Sequence, residues 1–121
     1  MAASLILSAS VVLTLAQDGA LKADQAAAHI GQTATVEGKV SVNRTPGGET
    51  YLDIGGEGTA APFSGYVSRW NRGKFQDVDK LEGKTVQITG RISTFREKPE
   101  IFLTDPSQIA VKPDAPAPKP Q

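Results

Sequence analysis

The sequence predicts an all-β domain with small helices, closed into a five-stranded barrel. The first observation is a repeat: Gly31-Gln32-Thr33-Ala34-Thr35-Val36-Glu37-Gly38-Lys39-Val40-Ser41 returns as Gly83-Lys84-Thr85-Val86-Gln87-Ile88-Thr89-Gly90-Arg91-Ile92-Ser93. Gly, Thr, Gly and Ser keep their offsets. The second is that both copies alternate polar and apolar residues, which marks a strand with one buried face. The third is a glycine on the apolar face of each copy. A missing Cβ there lets a strand bulge or bend sharply, and two long bent strands are what a small barrel needs.

The elements follow in order. Asp24 is placed to cap a short helix through Ala26, Ala27, Ala28 and His29, with Gly31 as its stop. His29, the single histidine, is read as a partner for the helix's terminal carbonyls. The first strand runs from about Thr33 to Arg44, with Ala34, Val36, Val40 and Val42 inward. Thr45-Pro46-Gly47-Gly48 is a strong turn. Tyr51 to Ile54 is the second strand. Gly55-Gly56-Glu57-Gly58 breaks the chain; it lacks the Lys-Ser or Lys-Thr of a phosphate loop and reads as a flexible connection. Phe63 to Val67 is the third strand. Ser68 to Leu81 holds Trp70, Phe75, Val78 and Leu81 at helix-compatible intervals. The fourth strand spans Thr85 to about Phe95. Arg96-Glu97-Lys98-Pro99 is a hairpin loop, and Glu100 to Thr104 the fifth strand. Asp105-Pro106-Ser107 turns the chain, and Ile109-Ala110-Val111 closes the core.

Three strands, a helical connection and two more strands, with the first and fourth long and bent, is the order of the OB-fold Greek-key barrel. That fold binds oligonucleotides or oligosaccharides across strands two and three and the adjoining loops. The SH3-like barrel usually lacks the long connection between its third and fourth strands.

Val36-Glu37-Gly38-Lys39-Val40, Thr50-Tyr51-Leu52, Leu81-Glu82-Gly83-Lys84-Thr85-Val86, Ile88-Thr89-Gly90-Arg91-Ile92, Lys98-Pro99-Glu100-Ile101 and Thr104-Asp105-Pro106-Ser107-Gln108-Ile109 stand in this order. From about Asp24 to Val111 the chain thereby resembles bacterial, often exported, OB-fold domains of the nucleic-acid-binding, tRNA-anticodon-domain-like type. The resemblance implies the fold and, more loosely, nucleic-acid binding, since fold does not fix function. The chain departs from that group between Ile54 and Phe63, where it is rich in Gly and Ala, and at Gly65-Tyr66.

Composition narrows the reading. The 121 residues suit one domain, and 13 Lys plus Arg balance 13 Asp plus Glu. A local cluster can still bind phosphates on a neutral molecule. With no cysteine there is no disulfide, zinc-thiolate site or thiol nucleophile. Residues 1–20 read as a signal peptide or an uncleaved N-terminal apolar segment: Leu5 to Ala16 is apolar or small, with Thr14-Leu15-Ala16 as a candidate cleavage site, although no Lys or Arg precedes it. The run is shorter than the roughly 20 apolar residues of a membrane span. The expected location is the periplasm or exterior of a bacterium. Residues 21–112 are expected to form the barrel domain, and the proline-dense residues 113–121 a disordered tail.

The expected site joins aromatic faces for bases with cations for phosphates. Tyr51 and Tyr66 project from the outer face of strands two and three, where they also suit a cross-strand pair. Arg69, Arg72 and Lys74 lie on the following connection, Arg44 at the first hairpin, and Arg96 and Lys98 in the loop before strand five. The two loops are expected to flank one groove. Trp70 and Phe75 read as sealing the barrel floor, since large aromatics are often buried. The acids Asp77, Asp79 and Glu82 fit no metal loop, and helix capping accounts for Asp77 or Asp79. No catalytic residue, metal or cofactor is expected. The expected partner is single-stranded DNA or RNA, bound weakly; the alternative is an envelope protein, peptide or glycan.

Overall fold

The computed structural model describes residues 19–112. All but the last two residues of the expected signal segment, and the whole Pro-rich tail, lie outside the described residues. The strands are β1 (Leu21–Lys22), β2 (Thr33–Arg44), β3 (Thr50–Ile54), β4 (Phe63–Val67), β5 (Thr85–Phe95), β6 (Lys98–Leu103) and β7 (Ile109–Val111). Neighbours run β2-β3-β4-β6-β5, and a β2–β5 pairing closes the ring. This is the five-stranded OB-fold barrel. β4 and β6 pair in parallel, the other staves antiparallel. The short β1 and β7 extend it along β2 and β5.

The repeat is the hinge of this closure. Residues Thr33–Lys39 of β2 pair with β5, then Val40–Arg44 pair with β3. In β5, Thr85–Arg91 pair with β2 and Ile92–Phe95 with β6. Each strand changes partner within two residues of its glycine. The ladder runs unbroken through both glycines, so they mark a coil in the strand, with no bulge. A Cβ at Gly90 would lie 2.6 Å from Cγ2 of Ile101, and one at Gly38 would be driven into Cγ2 of Ile54. The absent side chain lets the neighbouring strand's isoleucine fill the barrel.

Val36, Val40, Leu52, Ile54, Phe63, Val67, Val86, Ile88, Ile92, Ile101 and Leu103 make the core, all essentially inaccessible. Burying a side chain of this kind contributes roughly 1.5–3 kcal/mol. Ala23 packs beside Gly55 at one end of β3, and Phe75 lies beside Thr50 at the other. These small elements cover the barrel's two openings.

The helical segments differ from expectation in kind. Ala23–His29 is a 3-10 helix that begins after Lys22, so Asp24 is inside it and caps nothing. The Lys22 N–H instead donates to Gln25 Oε1 at 2.9 Å. His29 Nδ1 bonds the Gln32 side chain at 2.9 Å, in place of a terminal carbonyl. Two 3-10 turns, Arg72–Phe75 and Val78–Leu81, make the long connection. Asp77 precedes the second but makes no capping bond. Asp79 pairs with Arg44, and Glu82 Oε1 accepts from the Val42 N–H at 2.7 Å.

The Thr104 to Ile109 motif is structural. Asp105 Oδ1 accepts from the Ser107 N–H at 2.8 Å, which holds the Asp105 carboxyl below the usual carboxylate range. Gln108 Oε1 accepts from the N–H groups of Thr104 and Asp105, and its Nε2 donates to the Thr89 carbonyl of β5. One glutamine thus ties the turn to the strand on which β7 lies.

Candidate ligand groove

Alternation along β3, β4, β5 and β6 sends every second residue outward, and the register lines these residues into two rows. Tyr51, Tyr66 and Phe102 form an aromatic row. Ring centroids are 5.2 Å apart for Tyr51–Tyr66 and 5.3 Å for Tyr66–Phe102, with tilted planes. Phe102 is 48% exposed. One step along the strands, Asp53, Ser64, Glu100 and Ser93 form a polar row. The aromatic row and Asp53, Ser64 and Glu100 of the polar row line a groove of about 1070 Å³.

Asp53, Ser64 and Glu100 are buried although they face outward, and the segment after β3 folds over Asp53; Ser93, at the end of the row, stays exposed. The Gly58 N–H donates to Asp53 Oδ2 at 2.9 Å, and the Gly58 carbonyl accepts from Lys98 Nζ at 3.0 Å. Gly58 holds φ +57, a left-handed conformation that glycine adopts at little cost. The glycine-rich segment, expected to be a flexible connection, is therefore stapled at both its polar groups. Ser64 Oγ donates to Asp53 Oδ1 at 2.6 Å, and Lys98 Nζ lies 3.8 Å from the same oxygen. Asp53 is saturated.

Glu100 is not. Its residue is 8% exposed, and its carboxyl accepts no hydrogen bond from the described residues. Burial pushes the carboxyl up to about 7, and the nearby Lys98 charge only partly opposes this. Tyr66 Oη donates to Glu49 Oε2 at 2.8 Å; burial, then that bond, pushes the phenol up to about 12. Burial also raises Tyr51.

A second concavity, of about 570 Å³, lies beside the β2–β3 hairpin and is lined by Arg44, Arg69, Arg72 and Asp79. Arg44 reaches Asp79 at 2.8 Å. Arg69 and Arg72 pack close to Gly48 of the hairpin and make no ion pair among the described residues. Trp70 overturns the sequence reading. It is 81% exposed, with the Arg69 guanidinium 4.7 Å from its ring centroid, while Phe75 is buried as expected. The chain between β4 and the first 3-10 turn carries Trp70 away from the barrel, so intervals suited to a helix did not mean a shared buried face.

The expected site residues therefore divide. Tyr51, Tyr66, Arg96 and Lys98 line the groove; Arg44, Arg69 and Arg72 line the basic pocket. Arg44 does not face Arg96 and Lys98 across one groove. Lys74 belongs to neither, its Nζ donating to the Thr104 carbonyl at 3.4 Å. The hairpin loop is shorter than expected: only Arg96 and Glu97 form it, at φ 54 and 68, and Lys98 and Pro99 already belong to β6. Positive φ at both central residues is the turn whose twist suits a two-residue hairpin. The Arg96 guanidinium lies over the Phe95 ring at 5.1 Å. Sequence reasoning missed Phe95, Glu100 and Phe102 as groove residues. Period-two alternation from Ile101 and Leu103 pointed Glu100 and Phe102 outward, but not into the same groove as the tyrosines.

No protein family matches the chain by sequence, and no curated protein does. Solved structures do. The OBody AM1L10, bound to hen egg-white lysozyme, aligns with TM-score 0.52 at 22% identity over 73% of this chain and 85% of its own. An aspartyl-tRNA synthetase from Leishmania major Friedlin aligns with TM-score 0.49 at 10% identity over 75% of this chain; the match spans 20% of the synthetase. At such identities the OBody likeness is one of fold alone, and the synthetase adds nothing to it.

Proposed function

We propose that this OB-fold barrel is an exported, non-catalytic module that binds single-stranded nucleic acid weakly. The observation that carries the reading is Trp70, solvent-exposed, stacked with Arg69 and next to Arg72. Bases stack on Trp70 and on the aromatic row, and the two arginines meet phosphates. Few cations are available for this. Arg44 is engaged by Asp79, Lys98 by Asp53, and Lys74 by a carbonyl. Each phosphate contact with a single strand contributes about −0.7 to the slope of log affinity against log salt, so a shallow slope is expected. Trp70 is the sole tryptophan, so its emission reports on the site directly. Single-stranded DNA titrated at low ionic strength should quench it, and salt should reverse the quenching. Unchanged emission together with unchanged anisotropy of a labelled strand would falsify the reading.

One observation favours a protein, peptide or glycan ligand. In the groove Glu49, Asp53, Glu97 and Glu100 outnumber Arg96 and Lys98. Envelope partners that survive nuclease treatment in a pull-down would support this alternative. Export is tested by the mass of the mature chain recovered from the periplasm or medium; an intact N-terminus in the cytoplasm would refute it.

A further inference from the structure

The polar row beside the aromatic row has one unspent group, and its chemistry specifies a ligand. This rests on the nucleic-acid reading above. We propose that the Glu100 carboxylate reads the Watson–Crick edge of an unpaired guanine stacked on Tyr66 and Phe102.

The placement comes from the register. Glu100 pairs with Ser64 of β4, Phe102 with Tyr66, and the two rows are adjacent on one face. A ring lying on Tyr66 and Phe102 turns an edge toward the polar row. Stacking on exposed aromatics is the usual way single-stranded bases are held, with their Watson–Crick edges then read by side chains. Within the row, Asp53 is occupied by Ser64, Gly58 and Lys98. Ser93 Oγ donates to the Glu100 backbone carbonyl. The Glu100 carboxyl is the acid of the row that accepts no hydrogen bond among the described residues.

An ionised carboxylate only accepts, through two oxygens. Guanine presents two adjacent donors, N1–H and the N2 amino group. Cytosine and adenine set one amino donor beside a ring acceptor, and thymine sets one N–H between two carbonyls. Guanine is therefore the base that satisfies both oxygens at once. Glu100 is also faced by Lys98 from its own strand, Asp53 and Tyr51 from β3, Tyr66 from β4, and the Arg96 turn. The raised phenols of Tyr51 and Tyr66 keep their protons near neutrality. Glu100 changes charge near pH 7 because burial lifts it there. Protonated, it opposes a donor to N1–H; ionised, it accepts. Guanine preference should rise with pH through that region.

The test uses the full chain and two fluorescent strands, an oligothymidylate and the same strand with one central guanine, at low salt and at about pH 6 and pH 8. A bidentate base contact discriminates by roughly tenfold. The guanine strand should bind about that much tighter at the higher pH, with the advantage shrinking at the lower. Glu100→Gln should bind both strands alike at both pH values. The pH series on the wild-type protein stands even if that variant folds poorly. Equal wild-type affinity for the two strands overturns the guanine assignment and leaves nucleic-acid binding intact. A guanine preference that persists in Glu100→Gln overturns the role of Glu100. Binding of neither strand overturns both readings; if a tetra-arginine peptide then binds through Glu100, the groove belongs to cationic peptides.

Discussion

The groove and the basic pocket hold charge in opposite ways. In the groove, Asp53 is buried and its oxygens are consumed by Ser64, Gly58 and Lys98. In the pocket, Arg44 and Asp79 meet with side chains 39% and 66% exposed, and Arg69 lies against an exposed indole. The buried acid of the groove is structural, whereas the exposed Arg69 and Arg72 of the pocket remain available. Burial makes the difference: a charge taken out of water must be paired to persist, whereas an exposed one remains solvated and can exchange water for a ligand.

That contrast breaks most sharply at Asp53. Asp53→Ala leaves Ser64 and the Gly58 N–H without their acceptor and Lys98 without its ion-pair partner, and should cost about 3 kcal/mol in urea unfolding. A loss below about 1 kcal/mol would mean the polar row does not hold the glycine segment down.

Glu100 sharpens it through pH. Its folded value, about 7, lies above the usual 4.5. Below 4.5 the group is protonated in both states and costs nothing. Between 4.5 and 7 the unfolded chain ionises first, so unfolding releases a proton and stability falls as pH rises. The expected decline is on the order of 3 kcal/mol, and Glu100→Gln should abolish it. Glu37 acts with the opposite sign: hydrogen bonds from Gln87 and Lys112 lower its value, so its contribution is lost on acidification below the usual carboxylate range. A flat profile between pH 5 and 7 in the wild-type protein would contradict the burial of Glu100.

Trp70→Ala separates function from stability. Strand affinity should drop about tenfold, within the usual range for a base stacked on an aromatic. Unfolding free energy should change by no more than about 0.5 kcal/mol. A large destabilisation would return Trp70 to the core.

The smallest effect is expected at Asp79. Exposed pairs contribute roughly 0–1 kcal/mol, so Asp79→Ala should barely move stability. It also releases Arg44, and strand affinity should rise slightly. A loss of affinity would show that Asp79 positions Arg44 for binding.

Much of the barrel was legible beforehand. β2, β4 and β5 have the bounds their alternation implied, because a sheet with one buried face imposes period two on the sequence. Gly38 and Gly90 were legible as bends, though the ladder pairing through them rules out a bulge. The connection after β4 was less so. Trp70 and Phe75 share a residue class and a short segment, yet one is exposed and the other buried. Short 3-10 turns impose no long periodicity, so spacing there says little about facing. The site was half legible: Tyr51 and Tyr66 were placed on the outer face, while Glu100 and Phe102 entered only with the parallel pairing of β4 to β6.

The sequence alone determined the strands, their inward faces and the two points where they coil, since these follow from local alternation and from glycine's missing side chain. Tertiary structure decided which charges are spent and which remain. Lys98, far from Asp53 and Gly58 in the chain, joins them only when the ring closes, and the Glu100 carboxyl is left without a hydrogen bond. Long-range register sets the local dielectric and the available donors, and neither can be read from neighbours in sequence.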